Sequence, residues 1–147
     1  MIPPEDPLVF QALNEIGIIN QLAQSRAEKL LGADLNLPQF VVLNHFSRLG
    51  GTRSLVQLAS AMQVTKGAMT NTVSRLHAKG WVQVQPDPND GRGKQVSLTD
   101  TGRAARHQAL VQLAGGLAEM SADISADAIA AALPVLRQLR VWLDAHR

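Results

Sequence analysis

The sequence predicts a mainly α-helical fold with one small β-hairpin (α+β), and three observations predict it. Most of the chain repeats apolar residues at i, i+3 or i+4, and i+7, the spacing of one helix face. Two short β-rich runs break that pattern: Trp81–Gln85, with Val82 and Val84 in phase, and Lys94–Leu98, with Val96 and Leu98 in phase. Between them lies Pro-Asp-Pro-Asn-Asp-Gly-Arg-Gly, turn chemistry throughout, so the runs close into a hairpin with a protruding cationic loop. A short helix followed by a basic hairpin is the winged helix-turn-helix arrangement.

In chain order, Met1–Asp6 reads as a frayed tail. Phe10, Leu13, Ile16, Ile19, Ala23, Ala27 and Leu30 then keep an apolar stripe on a first helix, which Gly32 ends. Ile18, Leu22 and Leu31 lie off that stripe, so the helix has apolar surface for a partner as well as for its own core. Asn36 caps a second helix with Pro38 in its first turn, and Gly50-Gly51 stops it. Ser54 and Gln57 form a capping box for a third, in which each side chain satisfies the other's backbone donor. A very short turn after Met62 leads to Thr65, the N-cap of the fourth helix. There Met69, Val73 and Leu76 form the buried stripe, and Gly80 sits where a left-handed residue ends the helix. The third and fourth helices make the helix-turn-helix. Thr99 or Asp100 caps a fifth helix, whose inner face reads Ala104, His107, Val111, Ala114, Leu117 and Ala118, with Gly115-Gly116 weakening its middle. Ser125 caps a sixth, with Pro134 inside it and a kink expected there.

The polar face of the fourth helix carries Thr65, Lys66, Thr70, Asn71, Ser74 and Arg75. A helix that buries one side and offers small donors and cations on the other suits a major groove. Thr65 and Lys66 are placed for phosphate, Asn71 and Arg75 for base edges, the amide matching adenine and the guanidinium guanine. In the hairpin, Arg92 and Lys94 are the cations and Asp90 the acid beside them; Arg53 and Ser54 are candidate contacts to the DNA backbone.

Several segments resemble the MarR family of transcriptional regulators. They are L-x-x-x-G-x-V at Leu76–Val82, D-P-x-D-x-R at Asp87–Arg92 and L-T-x-x-G at Leu98–Gly102. Upstream, L-N-L-P-Q-F-x-V-L at Leu35–Leu43 and S-L-x-x-L-A at Ser54–Ala59 fit the same pattern, so the resemblance covers most of the chain in order. Two positions depart from it: Gly91 stands where the wing usually has a second arginine, and His77 where an acid is common. The resemblance implies that Arg92 enters the minor groove or meets its phosphates, held in place by Asp90. It also implies a dimer built by helices from both termini, and an effector pocket between that layer and the winged module.

Composition narrows the alternatives. The 147 residues are one ordinary domain's worth, and 46% hydrophobic content is that of a globular protein. Aromatic residues make up only 3%, with no Tyr, which argues against the stacking surfaces of single-strand binders. Zero Cys excludes disulfides, thiolate metal sites and cysteine redox sensing. The four histidines are scattered, and no metal site or cofactor is expected. No catalytic motif appears, no apolar run is long enough to span a membrane, and a cytoplasmic location is expected. The formal net charge of +2 hides a segregation. Arg48 to Arg106 carries nine basic and three acidic residues, the remainder five and nine. A basic segment between acidic flanks is the footprint of a polyanion-binding module.

The expectation is a dimeric, sequence-specific regulator binding an inverted-repeat operator in double-stranded DNA, a ligand-responsive repressor without enzymatic activity. Its organisation is read as an N-terminal dimerisation helix over 1–34, a winged helix-turn-helix over 35–100 and C-terminal dimerisation helices over 101–147. The competing reading is a winged helix serving protein–protein contact with DNA binding lost.

Overall fold

A computed structural model describes residues 3–147 as seven helices and three strands. They are α1 (Leu8–Leu30), α2 (Leu37–Leu49), β1 (Thr52–Ser54), α3 (Leu55–Met62), α4 (Lys66–Ala78), β2 (Val82–Asp87), β3 (Asp90–Leu98), α5 (Asp100–Gly116), α6 (Met120–Asp123) and α7 (Ala126–Ala145). They form two compact units, divided within α5 between Leu113 and Ala114.

The first unit is built on local signals that act as expected. Asn36 caps α2 by accepting from Gln39 N at 2.9 Å. Ser54 and Gln57 complete the capping box of α3, at 3.0 and 2.9 Å. The helix-turn-helix connection is tight because Gln63 takes a left-handed φ of 53° and Val64 N donates to Ala59 O at 3.0 Å. The apolar faces of α2, α3 and α4 then converge, with Leu43, Phe46, Leu58 and Leu76 fully buried together with Val82 and Val96 of the sheet. One core thus holds the helix-turn-helix and the hairpin, and α5 adds Ala109 to it.

The sheet differs from expectation in two ways. Its order is β1-β3-β2, all antiparallel, and β1 is a strand beyond the expected hairpin. Gly50 and Gly51, at φ 66° and 71°, turn the chain so that Thr52–Ser54 pairs with Ser97–Gln95. Three residues are too few for alternation to show in a sequence. The strands of the hairpin also run further: β2 reaches Asp87 and β3 starts at Asp90, leaving Pro88 and Asn89 as the turn. Asp87 Oδ1 accepts from Asn89 N at 2.9 Å, which closes the tip, and the register shifts at Pro86/Asp87. Asp90, Gly91, Arg92 and Lys94 therefore stand on a strand, not in a loop.

Other boundaries move for identifiable reasons. Met1 and Ile2 lie outside the described residues, but Pro3–Asp6 is a turn, tied by Gln11 Nε2 to Asp6 O at 2.7 Å. α1 ends on Leu31 in an extended conformation, so Gly32 does not supply a left-handed cap. The inner face of α5 in the first unit is Gly102, Ala105, Ala109 and Leu113; His107 and Val111 are exposed. Gly115 and Gly116 lie at the end of α5, and a Cβ added at Gly115 would meet nothing within 4 Å. In the second unit, α6 is an added short helix. Ser125 caps α7 by accepting from Ala128 N at 3.1 Å, and α7 runs through Pro134 as one helix. Neither α1 nor α7 has a buried residue.

Two consequences can be measured. A Cβ at Gly102 would lie 1.9 Å from the Trp81 carbonyl oxygen, a backbone atom that cannot rotate away. Gly102→Ala is expected to destabilise by about 2–3 kcal/mol or more in urea unfolding at fixed protein concentration. An unchanged midpoint would show that α5 is not seated there. His45 is buried on α2, and its pKa is lowered from 6.5 by burial, with Arg48 and Arg53 adding repulsion. The unfolded chain takes up that proton first, so stability present above about pH 6.5 is lost as pH falls through the folded pKa. Melting temperature should drop between pH 7.5 and 5, and less so in His45→Gln; identical profiles would refute the assignment.

Candidate nucleic-acid interface

α4 starts cleanly because Thr65 Oγ1 accepts from Ala68 N at 3.1 Å, satisfying one of the unpaired first-turn donors. It ends at Gly80, whose φ of 76° only glycine adopts without strain. Met69, Val73 and Leu76 are buried against the core. Thr65, Lys66, Thr70, Asn71, Ser74 and Arg75 are all exposed, so none of the polar residues read from the sequence is taken up by the core. Their hydrogen-bonding states differ. Thr70 Oγ1 donates to Lys66 O at 2.8 Å, which leaves its oxygen to accept only. The side chains of Asn71, Ser74 and Arg75 bond to no other described residue and keep their full capacity.

The far end of α4 is fastened by contacts no sequence pattern announces. Lys79 Nζ donates to Gln39 Oε1 at 2.9 Å and to the main-chain oxygen of Asp34, and lies 4.8 Å from the centre of the Trp81 ring. Gln39, only 4% exposed, thereby has a partner for its buried amide. Lys79 is thus a clamp to α2 and not a spare surface cation. Thr99 fastens the hairpin base: its Oγ1 donates to Gly80 O at 2.7 Å and accepts from Gly102 N at 3.0 Å. That settles the choice of cap for α5 in favour of Thr99, with Asp100 in the first turn. Together these bonds set α4 and the wing as one body.

On the wing, Asp90, Arg92 and Lys94 are exposed along β3. Asp90 Oδ1 accepts from the main-chain N–H of Arg92 at 3.0 Å. The acid therefore shapes the strand start beneath Arg92 rather than pairing with its guanidinium. Arg53 and Ser54 are half-buried at the sheet edge: Arg53 donates to Thr52 O at 2.7 Å, and Ser54 is occupied as the α3 cap. These two offer less to an outside partner than the α4 face does. Arg106, not singled out from the sequence, spans 62 residues to Asn44, with Nε and Nη2 at 3.2 and 2.9 Å from Oδ1. It fixes α5 to α2 beside an open cleft of about 540 Å³ lined by Ser47, Asp100, Arg103, Ala104, Arg106 and His107. Among the described residues no group of three or more His, Cys, Asp or Glu is placed to hold a metal ion, and no helix is long and apolar enough to cross a membrane.

Known proteins share this arrangement. The sequence profile of the MarR family matches residues 33–93, the winged module up to the wing. The chain is 33% identical over 129 residues to the multiple antibiotic resistance protein MarR of Escherichia coli, covering 83% of this chain and 88% of that one. It is 30% identical over 142 residues to the HTH-type transcriptional repressor NicR of Pseudomonas putida, covering 92% and 89% respectively. In three dimensions it is similar to a mutant of E. coli MarR crystallised with operator DNA: TM-score 0.67, 29% identity, 89% of this chain and 94% of that one covered. The resemblance read from the motifs at Leu76–Val82 and Asp87–Arg92 therefore holds across both length and fold, and the chain belongs to the MarR family of winged helix-turn-helix transcriptional regulators, which are not enzymes.

Proposed function

We propose that this protein is a cytoplasmic homodimer that binds an inverted-repeat operator in double-stranded DNA and represses transcription until a small-molecule effector releases it. The observation that carries the reading is the exposed face of α4, where the side chains of Asn71, Ser74 and Arg75 bond to no other described residue, followed in the chain by a hairpin bearing exposed Arg92 and Lys94. Asn71 and Arg75 read base edges in the major groove, Thr65 and Lys66 meet phosphates, and the wing lies on the adjacent minor groove. Repression is the role of the relative NicR and operator binding that of E. coli MarR. A cleft of the size found beside Arg106 falls in the range that small ligands occupy.

Dimerisation is argued from unpartnered apolar surface. On α1, Leu8, Phe10, Ile19 and Leu22 are more than half exposed, and on α7 so are Val141 and Trp142. Surfaces of that kind, on each unit by itself, are what a second copy covers. One recognition helix reads too few bases to be selective among genomic competitors. A two-fold pair of them calls for half-sites about 10–10.5 bp apart, or a multiple of that.

The decisive experiment is titration of the protein with duplex DNA at several salt concentrations, because phosphate contacts release counterions and protein–protein contacts do not. Arg92→Ala is expected to weaken binding and reduce the salt slope by about one unit. Unchanged slope and affinity would remove the wing from the interface. Leu143→Asp should yield a monomer in sedimentation and abolish operator binding; a dimer of undiminished affinity would refute the assembly.

A further inference from the structure

Gly67 occupies the second position of α4, where the folded chain has no use for a glycine. Its φ is not positive, unlike those of Gly50, Gly51 and Gly80. A Cβ built on it would meet nothing within 4 Å, whereas one on Gly102 would strike the Trp81 carbonyl. Glycine also costs conformational entropy on folding that alanine would spare. Internally, then, the residue is a loss without a compensating contact, and the reason for it lies outside the chain.

Its place on the helix says what that outside neighbour is. α4 turns by about 100° per residue, so with Met69, Val73 and Leu76 facing the core, the crest opposite is Gly67, Asn71, Ser74 and Ala78. All four are exposed. Lys66 and Thr70 flank the crest on one side and Arg75 on the other. The crest is the part of a recognition helix that goes deepest into a groove, and here it is made of short side chains with the long cations set to its flanks.

We propose that Gly67 is the point of closest approach between α4 and DNA: its bare Cα rests against base-pair edges on the floor of the major groove, and a side chain there would hold the helix off the bases. This rests on the operator-binding reading above. Phosphate contacts from the flanks, Lys66 and the wing, reach outward and survive a small retreat of the helix. Base-edge contacts from Asn71 do not, because their geometry is fixed within a few tenths of an ångström. Gly67 is thus a specificity-determining position that acts by having no side chain.

The test uses the full-length protein, a duplex selected by it from random sequence, and a scrambled duplex of equal length at the same salt. Gly67→Ala is expected to raise the melting temperature by roughly 1–5 °C. It should also raise Kd for the selected duplex at least tenfold, shift Kd for the scrambled duplex by no more than about twofold, and leave the oligomeric state as it was. Opposite signs for stability and specific binding are the signature, since a merely structural glycine would lose both. Unchanged affinity for the selected duplex overturns the proposal, as does an equal loss on both duplexes, which would put phosphate against Gly67. A lowered melting temperature overturns it too, by giving the glycine an internal role. If the unsubstituted protein fails to distinguish the two duplexes, the operator-binding reading fails first and takes this proposal with it.

Discussion

Trp81 joins the end of α4 to the start of the wing, and its carbonyl oxygen is covered from one side by Thr99 N at 3.2 Å and from the other by the bare Cα of Gly102. Thr99 also reaches Gly80 O, so three elements meet within a few residues: the helix end, the sheet base and the first turn of α5. That close seating sets how the wing stands to the helix. It also lets α5 place Ala109 in the core shared by α2, α3, α4 and the sheet. A larger residue at 102 would separate α5 from all of them at once.

What was legible in the sequence is what is encoded locally. Thr65, Ser54 with Gln57, Asn36 and Ser125 each cap the helix they precede, because a cap needs only its own first turn. The i, i+4, i+7 stripe of Met69, Val73 and Leu76 fixes which face of α4 is buried, and hence which is offered to a partner. The hairpin was legible from its alternation, but its length was not, since extension past Gln85 depends on pairing with Lys94 and Asp90 across the strands. β1 depends wholly on a strand more than forty residues away. α5 misleads for another reason. It is rich in Ala and Gln with little amphipathic contrast, so two stripes fit its period, and packing at Gly102 chooses between them.

The candidate site shows the same division. Residue type and spacing mark the six polar residues of α4 and the cations of the wing, and each of them is exposed. No such pattern marks the groups that hold α4 and the wing in place. Lys79 reads as one more cation of the basic segment, yet its ammonium group is used 40 and 45 residues away, on Gln39 and Asp34. Arg106 likewise belongs to Asn44. Counting charges along a chain therefore overstates the number available to a polyanion, because the bridging of distant elements draws on the same residues.

The division of labour on α4 bears on how such a regulator changes over time. The side chains that fold the helix, Met69, Val73 and Leu76, and the clamps at its end share no atoms with Asn71, Ser74 and Arg75. Substitutions at these outward positions consequently carry little folding penalty, so they can accumulate one at a time without passing through unfolded intermediates. A duplicated copy of this gene could acquire a new set of target promoters by drift at three or four codons, keeping its scaffold as inherited.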